Sequence, residues 1–328
     1  MLDVRYHCVV NTSWTRARFG RSLVVGTIGL SDLARSPSRA AEPGVRITSG
    51  PPIDASGELA YAQREGFFQQ RGLTVVEVPL PGGSSAPAVA GNAVDIGYLT
   101  VDAVAVAQEQ GADFVLLAPA AMYAAPESER VAALVVAVDS RLQRASDFAG
   151  AVIAAQALGT MAEYAPRAWL DRTGGDSNSV KFVEVPFPEM PVAVREKRVD
   201  AAWITEPFVT LSLRNGGRIV TYWTPVIAPQ FLISGWYSRR EWARSNPDLV
   251  SAFRDAMRLT AVWANAHHNE SSGILSAAAH TDPSIIATMA RARYALTLDP
   301  ALIQPLVDLV AHYRRFPPFS AGRLIYGD

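Results

Sequence analysis

The apolar positions of this chain change period along its length, and the changes mark out its elements. Short runs of β-branched residues alternate with stretches whose apolar side chains recur every three or four positions, as on a helix face. Residues 45–49 form a β run. Gly50-Pro51-Pro52 ends it, because proline neither donates to a ladder nor enters a helix interior. Residues 56–70 predict a helix, with Leu59, Ala62 or Gln63, Gly66 and Phe67 on one face and Gly72 as its stop. Strands are predicted at 73–78, 94–98, 114–118, 131–138, 151–155, 180–185 and 218–222. The 131–138 run is apolar throughout, as for a strand covered on both faces. Helices are predicted at 100–110 and from Gly159-Thr160 to about Asp171. Residues 119–130 read as irregular and 225–229 as a crossover, while 231–234 with Trp236 return to a β pattern.

Everything after Ser238 reads as helical. Asn246-Pro247, Asp282-Pro283 and Asp299-Pro300 each pair a capping residue with a first-turn proline. Leu249, Phe253, Met257, Thr260 or Ala261, and Ala264 make one apolar stripe; Leu302, Leu306, Leu309, Val310 and Tyr313 make another. Strands alternating with helices predict a parallel or mixed sheet covered by helices.

One stretch occurs twice. Residues 88–111 read AVAGNAVDIGYLTVDAVAVAQEQG, and residues 193–216 read AVREKRVDAAWITEPFVTLSLRNG. With Asp200 set over Asp95, Ala88 meets Ala193, Val89 meets Val194, Val94 meets Val199, Thr100 meets Thr205 and Gly111 meets Gly216. Each copy reads as a helix end, a Val-Asp turn, a buried strand and a loop that opens a new helix at Thr. The doubling predicts two similar α/β lobes whose loops face each other across a ligand cleft. The expected division is a leader at 1–43, lobe one at 44–120 plus 230–328, and lobe two at 121–229.

Composition narrows the function. A chain of 328 residues suits two domains, and 49% apolar against 19% charged residues supports a sizeable core. The net charge of −1 argues against a nucleic-acid partner, which calls for a basic patch or stripe. Cys8 is the one cysteine, so the chain has no intrachain disulfide framework and no Cys-rich metal site. Arg5, Arg16, Arg18 and Arg21 precede the apolar run 22–30, and the small residues around Ala40 follow. That order predicts a secretory signal cleaved before Ala41 and a periplasmic or other extracytoplasmic location.

Five predicted strand-to-helix loops carry the candidate chemistry: 50–56, 82–85, 98–102, 158–161 and 203–207. Ligands of such sheets bind beyond the carboxyl ends of the strands, where helix N-termini offer unpaired N–H groups. Gly82-Gly83-Ser84-Ser85 lets backbone approach a ligand, with Ser84 or Ser85 as cap or donor. Gly159-Thr160 is the matching feature of the second lobe. Thr100 and Thr205 read first as N-caps. Tyr98 and Trp203 are cleft walls if exposed and core if buried. Glu206, followed by Pro207, either accepts from a ligand amine or complements a helix dipole. Asp95 and Asp200 read as turn formers.

Catalytic and metal constellations are missing from the sequence. His267-His268 are adjacent and point to different helix faces, a poor metal pair. There is no Gly-x-Ser-x-Gly elbow, no dinucleotide fingerprint and no P-loop.

Several phrases together resemble the sulfonate/nitrate/taurine and thiamine-precursor binding family of ABC-transporter substrate-binding proteins. Ala62, Gly66, Phe68, Gly72 and Leu73 fit its A-x-x-x-G-x-F-x-x-x-G-L pattern. The segments at 90–97, 146–152 and 193–207 are similar to three later motifs, with Phe148 where leucine is usual and Lys197 where glycine is common. The resemblance implies a two-lobe type II periplasmic-binding fold, each lobe a mixed sheet flanked by helices, with a helical C-terminal tail. It implies a permease and an ATPase as partners of a monomer that binds a small ligand, with no cofactor and no reaction. By position it carries ligand contact to Ser84, Ser85, Tyr98, Thr100, Tyr123, Gly159, Thr160, Trp203 and Glu206. The relatives that are enzymes use cysteines that the lobes lack. The alternative is a cytosolic enzyme or ligand-sensing module on the same scaffold.

Overall fold

The computed structural model describes residues 44–80, 83–124, 131–222 and 224–327. The predicted leader with Cys8 and the cleavage signal lies outside the described residues, as do Gly82 and Pro126.

In chain order the elements are β1 (Val45–Ile47), α1 (Glu58–Arg64), α2 (Phe67–Gln70), β2 (Val75–Glu77), α3 (Ser85–Ala90), β3 (Gly97–Thr100), α4 (Val101–Glu109), β4 (Phe114–Pro119), β5 (Ala121–Ala124) and β6 (Ala132–Ala137). There follow β7 (Val152–Ala155), α5 (Met161–Arg172), β8 (Lys181–Glu184), α6 (Met190–Arg195), β9 (Ala201–Thr205), α7 (Phe208–Arg214), β10 (Gly217–Tyr222) and α8 (Thr224–Ile227). The last part holds β11 (Gln230–Leu232), β12 (Ser234–Arg239), α9 (Arg240–Ser245), α10 (Pro247–Ala266), α11 (His268–Ala279), α12 (Pro283–Ile286), β13 (Arg293–Tyr294) and α13 (Pro300–Arg314).

The fold is mixed α/β, with sheets flanked by helices. One five-stranded sheet has the order β10-β6-β9-β7-β8 and draws only on residues 132–222. β7 runs parallel to β8 and β9, whereas β6 is antiparallel to β9 and β10. All six residues of β6 are buried, which explains its unbroken apolar run. A second sheet sets β12 antiparallel between β3 and β4. A third sets β5 antiparallel between β11 and β13. β1 pairs in parallel with β2, and a bridge from Ile47 to Ile96 ties that pair to the start of β3.

The structure corrects the sequence reading at five places. The helix predicted at 56–70 is two helices, because Gly66 sits at φ 71° in the left-handed region and turns the chain. Residues 121–124, expected to be irregular, form β5, and the tail, expected to be helical throughout, contains β13. Those two strands pair with each other across the chain, and such short runs show no local period of their own. Leu249 is 37% exposed and Val250 buried at 1%, so the α10 stripe starts at Val250, while Phe253, Met257, Thr260, Ala261 and Ala264 are buried as read. Asn246 occupies the N-cap of α10 without capping it; its side-chain amide donates to the Trp242 carbonyl instead, at 2.8 Å. Asp282 and Asp299 do cap, accepting from Ser284 N–H and Ala301 N–H.

Two buried polar groups pin the core. Trp236 on β12 is fully buried and packs edge-on against Tyr98 and Phe253. Its indole N–H donates to Glu58 Oε2 at 2.9 Å. Glu58 is itself fully buried, and that burial pushes its carboxyl up to about 8 against the opposing indole hydrogen bond. The second group joins the 50–56 loop to the tail. Arg291 and Asp54 form a buried ion pair with Nε–Oδ2 at 2.9 Å and Nη2–Oδ1 at 3.2 Å. Asp54 Oδ2 also accepts from Ala292 N–H at 2.6 Å, and Oδ1 from the Tyr61 hydroxyl at 3.1 Å. The Tyr294 hydroxyl donates to the Asp54 carbonyl.

α13 packs on α4, α5 and β11. Its Ile303, Leu306, Val307 and Val310 belong to one apolar cluster with Val101 and Val104 of α4 and with Ala165 and Trp169 of α5.

Two predictions follow from these groups. Glu58 has a raised folded-state value, so the stability it contributes is complete below the unfolded-state value near 4.5 and is lost as pH rises through about 8. Urea unfolding of Glu58→Gln against the unchanged chain should therefore show the variant gaining on it from pH 5 to pH 8.5, by on the order of a few kcal/mol. A pH-independent difference would show that Glu58 ionises freely in the fold. Arg291→Met should cost about 3–5 kcal/mol in the same assay, because it strands the Asp54 carboxylate without its partner. Arg291→Lys should recover only part, since an ammonium cannot reproduce the forked contact.

Candidate functional site

The doubled stretch is doubled in space as well as in sequence. α3 and α6 end alike: Gly91 N–H donates to the Pro87 carbonyl and Glu196 N–H to that of Val192, both at 2.9 Å. Asn92 and Lys197 then turn the chain at φ 62° and 56°. This left-handed turn explains why glycine would suit position 197. Ala93 N–H and Arg198 N–H close the turns on Ala88 and Ala193, again both at 2.9 Å. Asp95 N–H donates to the Arg46 carbonyl while Asp95 Oδ2 accepts from Arg46 N–H, each at 2.9 Å. Asp200 repeats this with Val152, at 2.9 Å and 2.7 Å. Each aspartate thus locks its strand to a neighbouring one, a structural task in place of the turn expected from sequence. Asp95 adds an ion pair to the Arg46 guanidinium at 2.6 Å.

Beyond the strands the copies diverge. Thr100 is the N-cap residue of α4, although its hydroxyl makes no capping bond. Thr205 is not the cap of α7. Glu206-Pro207 delay that helix, Pro207 takes the N-cap position, and the Thr205 hydroxyl donates to the Val131 carbonyl at 2.8 Å.

The 50–56 loop lies on the ring of Tyr98. A Cβ at Gly50 would come within 2.5 Å of that ring, so glycine is required there. The Tyr98 hydroxyl is hydrogen-bonded to the Ala55 carbonyl at 2.8 Å and to the Ser234 hydroxyl at 2.7 Å. Ser84 is half-buried at the N-cap of α3 and makes no capping bond. Ser85 Oγ lies 2.9 Å from the Tyr237 hydroxyl. Tyr98, Tyr123 and Trp203 are 5%, 0% and 3% exposed, because each stands on a strand packed into the core. Tyr123 packs against Phe231, with ring centroids 5.4 Å apart.

The first turn of α5 is the most elaborate part of the site. Gly159 is half-buried at φ 74°, and Thr160 is the N-cap, accepting from Ala162 N–H at 3.3 Å and donating to the Ala157 carbonyl at 2.9 Å. Three carboxylates take further donors in and just before this turn. Leu158 N–H goes to Glu184 Oε1 and Gly159 N–H to Glu163 Oε2, both at 2.8 Å. Met161 N–H goes to Asp102 Oδ2 at 2.5 Å. Asp102 belongs to α4, so the 98–102 and 158–161 loops meet at this bond. Asp102 is fully buried. Burial raises its value, opposed by the nearby Thr100 hydroxyl and the N–H groups of Met161 and the first turn of α4.

Glu206 is buried and turned into the fold. It accepts from Thr210 N–H at 2.9 Å and from the Thr210 hydroxyl at 2.8 Å, capping the first turn of α7. Burial pushes it up to about 7, with Thr210 and Ala290 N–H opposing and the Asp54 charge adding to the rise.

Asp54, Glu58, Asp102 and Arg291 were not singled out from sequence. Asp54 and Asp102 fall inside two of the five loops, so the location was marked even though the residue was not. Arg291 had no local signal, since its partner lies 237 positions away. A separate polar cavity of about 500 Å³ opens between α5 and α13, beside Arg167, Asp171, His312 and Tyr313. Among the described residues no group of His, Cys, Asp or Glu is arranged to hold a metal ion, and no helix is long and apolar enough to cross a membrane.

Comparison with known proteins bears on this geometry. No curated protein matches the chain by sequence. Solved structures match its fold. The alkanesulfonate-binding protein SsuA from Xanthomonas axonopodis pv. citri, bound to MOPS, superposes with a TM-score of 0.71 at 20% identity, over 88% of this chain and 99% of that one. The ligand-binding component of an ABC-type import system from Staphylococcus aureus gives 0.73 at 15% identity, over 86% and 95%. The desulfurization enzyme DSZB gives 0.66 at 14% identity, over 86% and 96%. These likenesses establish the periplasmic-binding-protein fold expected from the sequence. The profile described as NMT1/THI5 like matches residues 56–271, more than half of the chain and every one of the loops from 82 to 207. The chain belongs to the NMT1/THI5-like family.

Proposed function

We propose that this chain is the exported solute-binding component of an ABC import system, holding a small polar or aromatic molecule between two lobes. The lobes are residues 44–120 with 230–328, and residues 121–229. The observation that carries this reading is the contact of Asp102 with Met161 N–H, which brings a loop of each proposed lobe to one point. The family supports it, as do the structural relatives whose names describe sulfonate binding and ABC import. Candidate ligands are sulfonates, amino-sulfonates, pyrimidines and related molecules. The half-buried Ser84, Ser85, Thr100, Gly159 and Thr160 are the proposed hydrogen-bonding partners. Tyr98, Tyr123 and Trp203, all buried, enter this proposal as core residues of the lobes and not as exposed walls. Glu206 is the proposed acceptor for a ligand amine when the lobes part. A permease and an ATPase are the proposed partners, and the chain acts as a monomer. The likeness to DSZB favours one second reading, an enzyme on the same scaffold.

A thermal-shift screen with sulfonates, amino-sulfonates, pyrimidines and aromatic acids tests binding. A ligand at 100 times its Kd adds about 2.7 kcal/mol, which should raise the midpoint by roughly 5 °C or more. A flat response across the panel would refute the proposal. Any compound that stabilises the chain should be recovered unchanged after incubation, whereas turnover would favour the enzyme. Glu206→Gln should weaken an amine-bearing ligand by about tenfold, the worth of one hydrogen bond to a charged group. Unchanged affinity would leave Glu206 as a cap of α7 alone. Sequencing the N-terminus of the native protein tests export, and Met1 retained on a cytosolic chain would overturn that part.

A further inference from the structure

A helix of twelve residues such as α5 presents outward-facing N–H groups and the positive end of its dipole at its first turn, the place where an anion binds. In this chain one of those donors, Met161 N–H, is already taken by a carboxylate, and so are two N–H groups just before the helix. Leu158, Gly159 and Met161 N–H each end on a carboxylate, from Glu184, Glu163 and Asp102. Two of these carboxylates come from segments next to α5 in its own sheet region, Glu184 from β8 and Glu163 from α5 itself. Asp102 comes from the first turn of α4, 59 positions before its partner. It therefore joins two helix N-termini, its own and that of α5. Its side chain is fully buried, and its second oxygen, Oδ1, has no hydrogen-bond partner among the described residues. A buried acceptor left unmatched is costly. This one is retained at the junction of two candidate loops.

We propose that Asp102 is a built-in anion, which latches the 98–102 loop to the first turn of α5 and keeps the acidic head group of any ligand out of that position. The consequence for ligand choice rests on the solute-binding reading; the latch does not. A bound molecule meets an oxygen where a sulfonate or carboxylate would place its own. The site therefore selects ligands that present an N–H donor to Oδ1, such as an amide, an amidine or a ring amine, over ligands that present an anion. The latch through Oδ2 persists if the carboxyl is protonated, whereas the preference for an N–H donor requires Oδ1 to remain an acceptor.

The test uses sulfate and methanesulfonate as probes in thermal-shift titrations of the full chain and of Asp102→Ala. The unchanged chain should show little stabilisation at millimolar probe. Asp102→Ala should bind methanesulfonate roughly tenfold more tightly or better, since it frees one charge-assisted N–H donor. Equal response of the two proteins, or no gain in the variant, overturns the proposal. If Asp102→Ala fails to fold, amide exchange in the unchanged, ligand-free chain decides: the latch requires a protected Met161 N–H, and exchange as fast as in an unstructured peptide refutes it. The two readings fail separately. A ligand found in the broad screen together with no anion gain in the variant leaves solute binding intact and removes the latch. A gain in the variant with no ligand for the unchanged chain does the reverse.

Discussion

Backbone N–H groups at the start of a helix have no partner inside it, and those that are buried must find an acceptor elsewhere. That requirement governs the loops of this protein. At the first turn of α5 the acceptors are Asp102 and the hydroxyl of Thr160, and just before it Glu184 and Glu163. At the first turn of α7 the acceptor is Glu206. Where the tail re-enters the fold, Ala292 N–H ends on Asp54. Carboxylates serve well because each oxygen accepts strongly from more than one direction. The cost is that several of them are buried, and burial raises Glu58, Asp102 and Glu206 above the ordinary carboxylate range.

The same constraint ties distant parts of the chain together. Asp54 closes the 50–56 loop over Tyr98 only because Arg291 and Ala292 arrive from the tail. α13 then packs against both α4 and α5, the two helices that Asp102 links. Apolar packing and one hydrogen bond therefore act on the same pair of helices. The packing is broad and tolerant of small shifts. The bond is directional and sets which loop faces which.

The doubled stretch separates shared tasks from individual ones. The left-handed residues Asn92 and Lys197 and the strand-locking Asp95 and Asp200 do the same job in both copies. They hold a helix end against a strand, and that geometry is local. The copies part at the loops, where Asp102 follows Thr100 on one side and Glu206-Pro207 follow Thr205 on the other. Both copies place a carboxylate at a helix N-terminus, but Asp102 reaches a different helix whereas Glu206 serves its own and the tail.

The alternating fold class, the order of most elements, the repeat and the five loops were legible in the residues. Each depends on neighbours within a few positions: the period of a strand or a helix face, a glycine or an asparagine in the left-handed region, an Asp-Pro at a helix start. Asp282 and Asp299 cap as read because a cap is a two-residue contact. β5 and β13 were invisible, because two short strands become a sheet only when the fold brings them side by side. Which of Leu249 and Val250 opens the α10 stripe likewise waited on what the helix packs against. The partners of Asp102 and Asp54 lie 59 and 237 positions away, and nothing near either aspartate encodes them. The sequence by itself determined which segments are helices and which are strands and, at Asp282 and Asp299, where a helix begins. Only the tertiary structure decided which buried N–H each carboxylate would meet, because that pairing depends on how distant elements pack and not on any local rule.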